Sequence, residues 1–167
     1  MTVSVDLHRI QILARFLKTL PACSPTDWPF DGLPAGGEPN TDDYFFIAVK
    51  HQYGFWMDDK IRYTAPMYGT IDGRRLKGSD FVWVALRRYL ARNPAIYNME
   101  RQASMSDSQI FDVFADDTGQ CPLPMFETHC RLWRAYAKDM LDLNFTPQKV
   151  IESGRAHKNP VSYLLKF

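Results

Sequence analysis

Residues 66–78, PMYGTIDGRRLKG, contain the clearest turn signal in the chain. Asp72 and Gly73 stand alone between two short runs that suit β-strands. A two-residue type I′ turn needs a positive φ at both central positions, and Asp-Gly is among the pairs that adopt it most readily. The pattern predicts a β-hairpin with strands at about 66–71 and 74–77.

The sequence on either side of this hairpin has the three-to-four-residue apolar spacing of helices. The first of these segments has a single leucine-rich stripe, and Pro21 ends it. The fold class that follows is mainly α, a helical domain with one β-hairpin. Helices are predicted at about residues 4–20, 41–56, 80–93, 107–115, 125–141, 147–154 and 161–167.

Capping residues mark where several of these helices begin. Ser79 is predicted to cap the third helix, and Asn40 or Thr41 the second. Ser106 with Gln109 forms the sequence of a capping box. Other start signals are Thr146-Pro147 for the sixth helix, Pro124 for the long fifth helix and Asn159-Pro160 for the last.

The length of 167 residues predicts a single domain, 1–167. Residues 1–20 form its first helix, and residues 21–40 form a loop rich in proline and glycine. Residues 41–167 form a helical core that includes the hairpin at 66–77.

Composition excludes several classes of protein. The formal net charge of +1 disfavours direct nucleic-acid binding and gives no reason to expect an anionic membrane as a partner. No run reaches the ~18 apolar residues that span a bilayer. The 3 cysteines are too few for a disulfide framework, and reduced thiols predict a cytoplasmic location.

Known catalytic motifs are missing from the sequence. It has no P-loop, no G-x-G-x-x-G, no G-x-S-x-G and no H-E-x-x-H. His129 and Cys130 point about 100° apart on a helix, so no metal site is predicted, and no cofactor is expected. Cys121 before a helix could act as a nucleophile with His51 or His129, but no motif supports that role.

The segment His51-Gln52-Tyr53-Gly54-Phe55-Trp56 is the most informative stretch for function. Three aromatic rings near a histidine and an amide suit a flat heteroaromatic base, which needs stacking faces and hydrogen bonds at its edge. The alternative is an aromatic helix end that is buried under the hairpin. Nearby, Arg74, Arg75 and Lys77 offer either a phosphate site or an ordinary solvated face.

With these residues the chain resembles the queuosine-salvage family, the queuosine 5′-phosphate N-glycosylases. Gln52-Tyr53-Gly54-Phe55-Trp56 stands where that family has an Asn-Phe-x-Phe-Trp-like run after a hydrophobic helix. Lys77-Gly78-Ser79-Asp80 stands where the family has a glycine after a short β segment, and residues 85–90 stand where a helix of the family ends in an Asn-Arg-Ala-Leu-like stretch. An acidic loop and a Pro-Leu-led long helix come next. The resemblance covers about residues 40–145, and it implies a fold related to helical DNA glycosylases.

The resemblance implies hydrolysis of the N-glycosidic bond of queuosine 5′-phosphate, which releases queuine for salvage into tRNA modification. Asp80 is the nominated catalytic carboxylate, because the transition state is oxocarbenium-like. Its alternative role is to compensate the dipole in the first turn of a helix. The nominated residues for binding the nucleotide are His51, Gln52, Tyr53, Phe55, Trp56, Arg74 and Lys77.

Family members continue beyond this length, and their C-terminal half carries the catalytic aspartate. Nothing here matches that half, so we expect a fragment, a reduced relative or a protein of changed function. The alternative to an enzyme is a non-catalytic helical module that binds a base or another protein. Residues 161–167 are apolar and short, so they must bury their surface on this chain, on a second copy in a homodimer or on a partner chain.

Overall fold

A computed structural model describes residues 11–12, 15–16, 18–19, 32–35, 37–55 and 66–157. Within them the architecture is mainly helical with one antiparallel hairpin, as the sequence predicts. The elements are α1 (Thr41–Val49), β1 (Tyr68–Ile71), β2 (Arg74–Lys77), α2 (Gly78–Arg92), a 3-10 helix (Pro94–Tyr97), α3 (Met99–Ser104), α4 (Asp107–Val113), α5 (Phe126–Asp142) and α6 (Pro147–Ala156).

The hairpin turns at Asp72-Gly73, as predicted. The φ angles there are 51° and 72°, which is the type I′ geometry. Tyr68 pairs with Lys77 and Ile71 with Arg74, so β1 begins two residues later than position 66. Ile71 and Leu76 are buried in the core beneath the hairpin.

The loop after α4 holds the hairpin tip in place. Asp117 accepts a hydrogen bond from the backbone N–H of Gly73 at 2.9 Å and pairs with Arg88 at 2.9 Å. Asp116 accepts from the N–H groups of Thr118 and Gln120. The hairpin is therefore joined to a segment more than forty residues further along the chain.

Helix α1 is shorter than the sequence predicts. It ends at Val49 rather than near Trp56, and the prediction of a continuous helix was wrong for residues 50–55. Gly54, five residues beyond the helix end, has a φ of 77°, a left-handed conformation that glycine adopts readily. Asn40 is the N-cap residue, but its side chain makes no capping hydrogen bond.

Two of the capping predictions are confirmed, and the one for Ser79 is wrong. The box of Ser106 with Gln109 and the Thr146 cap are confirmed. The prediction for Ser79 was wrong, because α2 begins at Gly78 and Lys77 is the N-cap residue, without a side-chain cap. A predicted stop at Gly154 was also early, since α6 runs to Ala156.

Helix α5 begins at Phe126, just after the predicted start, and Met125 before it is left-handed with a φ of 53°. Its buried face consists of His129, Cys130, Trp133, Ala137 and Met140. Leu141 is exposed. This face packs against α3 and completes the core with α2, α4 and the hairpin.

Some predicted features lie outside the described residues: the leucine stripe of the first helix, the helix at 161–167 and Trp56. Ile12 and Phe16 of the first segment are described, and they are helical and exposed. None of the described helices has the length and apolar character needed to cross a bilayer.

Candidate functional site

The candidate site is a cleft of about 190 Å³ where the hairpin meets the start of α2. Three of the residues nominated from the sequence line it: Phe55, Lys77 and Asp80. The other described residues of its wall are Pro66, Gly78 and Ser79. An aromatic ring, a cation and a carboxylate therefore share one small space.

Backbone hydrogen bonds bring these three sequence segments together. The N–H of Met67 donates to the carbonyl of Phe55 at 2.6 Å, and the N–H of Gly78 donates to the carbonyl of Met67 at 3.0 Å. Gly78 has a φ of 47°, and a Cβ there would lie 3.3 Å from the Phe55 ring. A glycine at this position thus allows both the sharp entry to α2 and the close approach of the ring.

Asp80 lies in the first turn of α2 and is half-buried. A carboxylate at this end of a helix interacts favourably with the helix dipole. An ionised carboxylate can stabilise developing positive charge on a sugar ring and can orient a water molecule. Ser79, predicted from the sequence as a cap, adds a hydroxyl to the wall of the cleft.

Lys77 is exposed at the end of β2, where it offers a cation at the rim of the cleft. Arg74 was nominated with it, but the two lie apart. They are three positions apart on an extended strand, which separates their Cα atoms by about 10 Å, and an odd spacing places their side chains on opposite faces. Arg75 instead stacks its guanidinium over the Tyr68 ring, 3.9 Å from the ring centroid.

Three other nominated residues, His51, Gln52 and Tyr53, do not line the cleft. His51 is fully buried, and its Nδ1 lies 3.0 Å from Nδ1 of His129. Tyr53 stacks on the His129 ring with a centroid distance of 4.4 Å. Gln52 donates a hydrogen bond from its amide to the carbonyl of Ala48 at 3.2 Å. The structure thus places His51 in the core and stacks Tyr53 on a residue of α5, whereas the alternative predicted a helix end buried under the hairpin.

The histidine pair has a cationic neighbour that the sequence analysis missed. Lys50 points its ammonium at the Tyr136 ring, 4.3 Å from the centroid, and at the Trp133 ring, 5.3 Å away. Its Nζ also lies 3.5 Å from Oε1 of Gln102. Burial lowers the pKa of Lys50 to about 7. No carboxylate of the described residues pairs with it.

Both histidines are held neutral. Burial lowers the pKa of His129 to about 4, against the effect of the Pro124 carbonyl. Burial, with the charge of Lys50 and the neighbouring ring, brings the pKa of His51 well below its ordinary value. Helical spacing could have identified His129 as a core residue, because it lies three residues after Phe126 and four before Trp133 and so shares their face of the helix.

The thiols give little support to a cysteine nucleophile. Burial raises the pKa of Cys121 to about 11 and that of Cys130 to about 12. A thiolate, rather than a thiol, is the reactive species. Within residues 11–157, and outside the gaps stated above, no group of three or more metal-ligating side chains lies together.

No protein-family model matches this sequence, and no curated protein shows significant similarity to it.

Proposed function

We propose that this protein hydrolyses the N-glycosidic bond of queuosine 5′-phosphate and releases queuine for salvage into tRNA modification. The observation that carries the proposal is the meeting of Phe55, Lys77 and Asp80 at one cleft. Each was nominated from the sequence for a different part of a nucleotide: the base, the phosphate and the sugar.

In the proposed reaction the deazaguanine base stacks against Phe55, and the 5′-phosphate lies near Lys77. The bond between the base nitrogen and the anomeric carbon breaks, and the carboxylate of Asp80 stabilises the positive charge that develops on the sugar. Water supplies a hydroxyl to the anomeric carbon and a proton to the departing base. The products are the free base and ribose 5-phosphate.

The described residues supply only part of such a site. Ligand pockets usually enclose about 300–1,000 Å³, and the described walls enclose about 190 Å³. Residues 56–65 join two residues of the wall, Phe55 and Pro66, and they lie outside the described residues. Trp56, which the sequence analysis nominated for base binding, belongs to that segment.

A non-catalytic base-binding module is the second candidate. The observation that favours it is the single carboxylate, Asp80, among the described residues of the wall. Hydrolysis of a glycosidic bond commonly uses two carboxylates, one as acid and one as base or nucleophile. A module with one aromatic wall, one cation and one carboxylate could bind the nucleotide without cleaving it.

The test measures release of free queuine from queuosine 5′-phosphate, with binding followed separately by calorimetry. The enzyme proposal expects release by the parent protein and a loss of about 10²–10³-fold in Asp80→Asn with binding largely kept. Asp142→Asn, an exposed carboxylate of α5, is the matched control. Lys77→Gln should weaken binding, whereas Lys138→Gln on the exposed side of α5 should not.

Binding without release would favour the module. If the protein neither binds the nucleotide nor releases queuine, both candidate functions are overturned. Release that survives in Asp80→Asn would reject the role of Asp80 and leave the activity itself established.

A further inference from the structure

The segment that brings Phe55 to the cleft has little backbone support of its own. Within the described part of the chain, none of Tyr53, Gly54 and Phe55 donates a backbone hydrogen bond. The carbonyl of Phe55 accepts from the N–H of Met67, and that bond fixes only the end of the segment next to the hairpin. The path of the chain from α1 to Phe55 therefore depends on side-chain contacts.

The beginning of α5 supplies these contacts. The Tyr53 ring stacks on His129, with 4.4 Å between the centroids and 19° between the planes. A Cβ at Gly54 would lie 2.7 Å from Cε of Met125, so the glycine backbone packs directly against that methyl group. His51 is held by Nδ1 of the same His129 at 3.0 Å. One side chain thus contacts positions 51 and 53 and directs the chain as it leaves α1.

The position of Phe55 follows from that of Tyr53. The two residues are two positions apart, a distance of at most about 7 Å, and Gly54 between them is confined by Met125. The Phe55 ring packs against Gly78 in the wall of the cleft. We propose that His129 is a positioning residue, which holds His51 and Tyr53 so that Phe55 presents its ring to the cleft. The stacking of a base on that ring rests on the proposed function, whereas the position of the ring does not.

The position of the Phe55 ring can be measured without a nucleotide. One α-hydrogen of Gly78 occupies the direction of a Cβ and faces the ring, so the ring current displaces the NMR resonance of that hydrogen. The displacement shrinks when the ring moves away. This measurement is therefore independent of the queuine assay.

Three substitutions of His129 separate its two contacts. His129→Leu removes both the hydrogen bond to His51 and the stacked ring. His129→Asn keeps a polar group near the position of Nδ1, and His129→Phe keeps a ring for Tyr53. We expect His129→Leu to reduce the displacement of the Gly78 resonance by about half, and each of the other variants to recover part of it. An unchanged Gly78 resonance in folded His129→Leu would refute the proposal, and so would the absence of recovery in both other variants.

Met140→Ala is the matched control. Met140 is a buried residue of the same helix, and it packs near the other end of α5 in a cluster with Met99 and Val150. The variant should lower the melting temperature without moving the Gly78 resonance, and an equal change in that resonance would overturn the proposal. Tyr53→Leu removes the stack from its half-buried partner and gives the same measurement if His129→Leu does not fold.

The kinetics of queuine release provide the functional readout. A displaced ring weakens stacking of the base equally in the ground state and in the transition state, so His129→Leu should raise KM about tenfold and leave kcat nearly unchanged. A fall in kcat at constant KM would overturn the positioning role at this site. Unchanged kinetics in a variant whose Gly78 resonance has moved would overturn it as well. If the parent protein releases no queuine, the Gly78 resonance alone decides whether His129 positions Phe55.

Discussion

The Nδ1 atoms of His51 and His129 lie 3.0 Å apart in the core, although 78 positions separate the two residues. At that distance one neutral ring donates its proton to the other. The Trp133 ring stacks on His51 at 5.3 Å, and Tyr53 stacks on His129. The end of α1 is thereby joined to α5 through two uncharged imidazoles.

This pair predicts a loss of stability in mild acid. The folded pKa of His129 is about 4 and that of the unfolded residue is about 6.5, so the unfolded state binds more protons as the pH falls below 6.5. His129 alone should cost about 2 kcal/mol of unfolding free energy between pH 7 and pH 5. Urea unfolding at each pH measures it.

His129→Phe provides the comparison for that pH series. The variant loses the hydrogen bond and is less stable at every pH, but its stability should fall less steeply between pH 7 and pH 5. Parallel curves for the two proteins would contradict the assignment of the acid sensitivity to this pair.

The buried ammonium of Lys50 predicts a pH dependence of the same sign, in mild alkali. Its folded pKa is about 7 against an unfolded 10.4, so stability should rise with pH from 7 to about 9.5. Lys50→Met keeps the length of the side chain and removes the desolvated charge. We expect the variant to be at least as stable at pH 7 and to lose this rise. A variant less stable by more than about 1 kcal/mol would show that the contacts with Tyr136 and Trp133 outweigh desolvation.

The close packing of Gly69 against Phe81 predicts that substitutions in the hairpin and in α2 affect stability jointly. A Cβ at Gly69 would overlap the ring of Phe81, which is fully buried. Gly69→Ala should cost about 1–3 kcal/mol, and Phe81→Leu in the same chain should recover part of that loss. Gly73→Ala is the control, because a Cβ there meets open space. Its cost, from the positive φ alone, should add to that of Phe81→Leu without coupling.

The hydrogen bonds of Asp116 predict that the loop after α4 contributes to the unfolding free energy. Its carboxylate accepts from the N–H and hydroxyl of Thr118 and from the N–H of Gln120. Asp116→Ala should lower the unfolding free energy by about 1–2 kcal/mol. Asp112→Ala, which removes an exposed carboxylate from α4, should change it by less than about 0.5 kcal/mol. Similar losses in the two variants would mean that this loop contributes little.

Sequence reasoning succeeded where a few neighbouring residues determine the structure. The Asp72-Gly73 turn and the Ser106–Gln109 box depend on local φ preferences and local hydrogen bonds, and both are confirmed. Apolar periodicity extended α1 too far, because the aromatic residues after Val49 are present for a different reason: His51 and Tyr53 contact α5 through His129.

The candidate site was predictable in part for the same reason. Residue chemistry nominated Phe55, Lys77 and Asp80, and the hairpin places them at one cleft. His51 was nominated for base binding on the same grounds, yet it is paired with His129 in the core. The two residues are 78 positions apart, so no local sequence pattern indicates that contact. The pairing of Arg87 with Glu38 is likewise a contact between distant segments.

Because its tip is attached to Asp117, the hairpin is not expected to be stable as an isolated peptide. A two-stranded hairpin is marginal in water, and this one receives support at Gly73 and Thr70 from carboxylates 44 and 46 positions away. A peptide of residues 66–78 would have the right turn and no such support. The element that the sequence predicts most clearly therefore depends on a distant part of the chain for its stability.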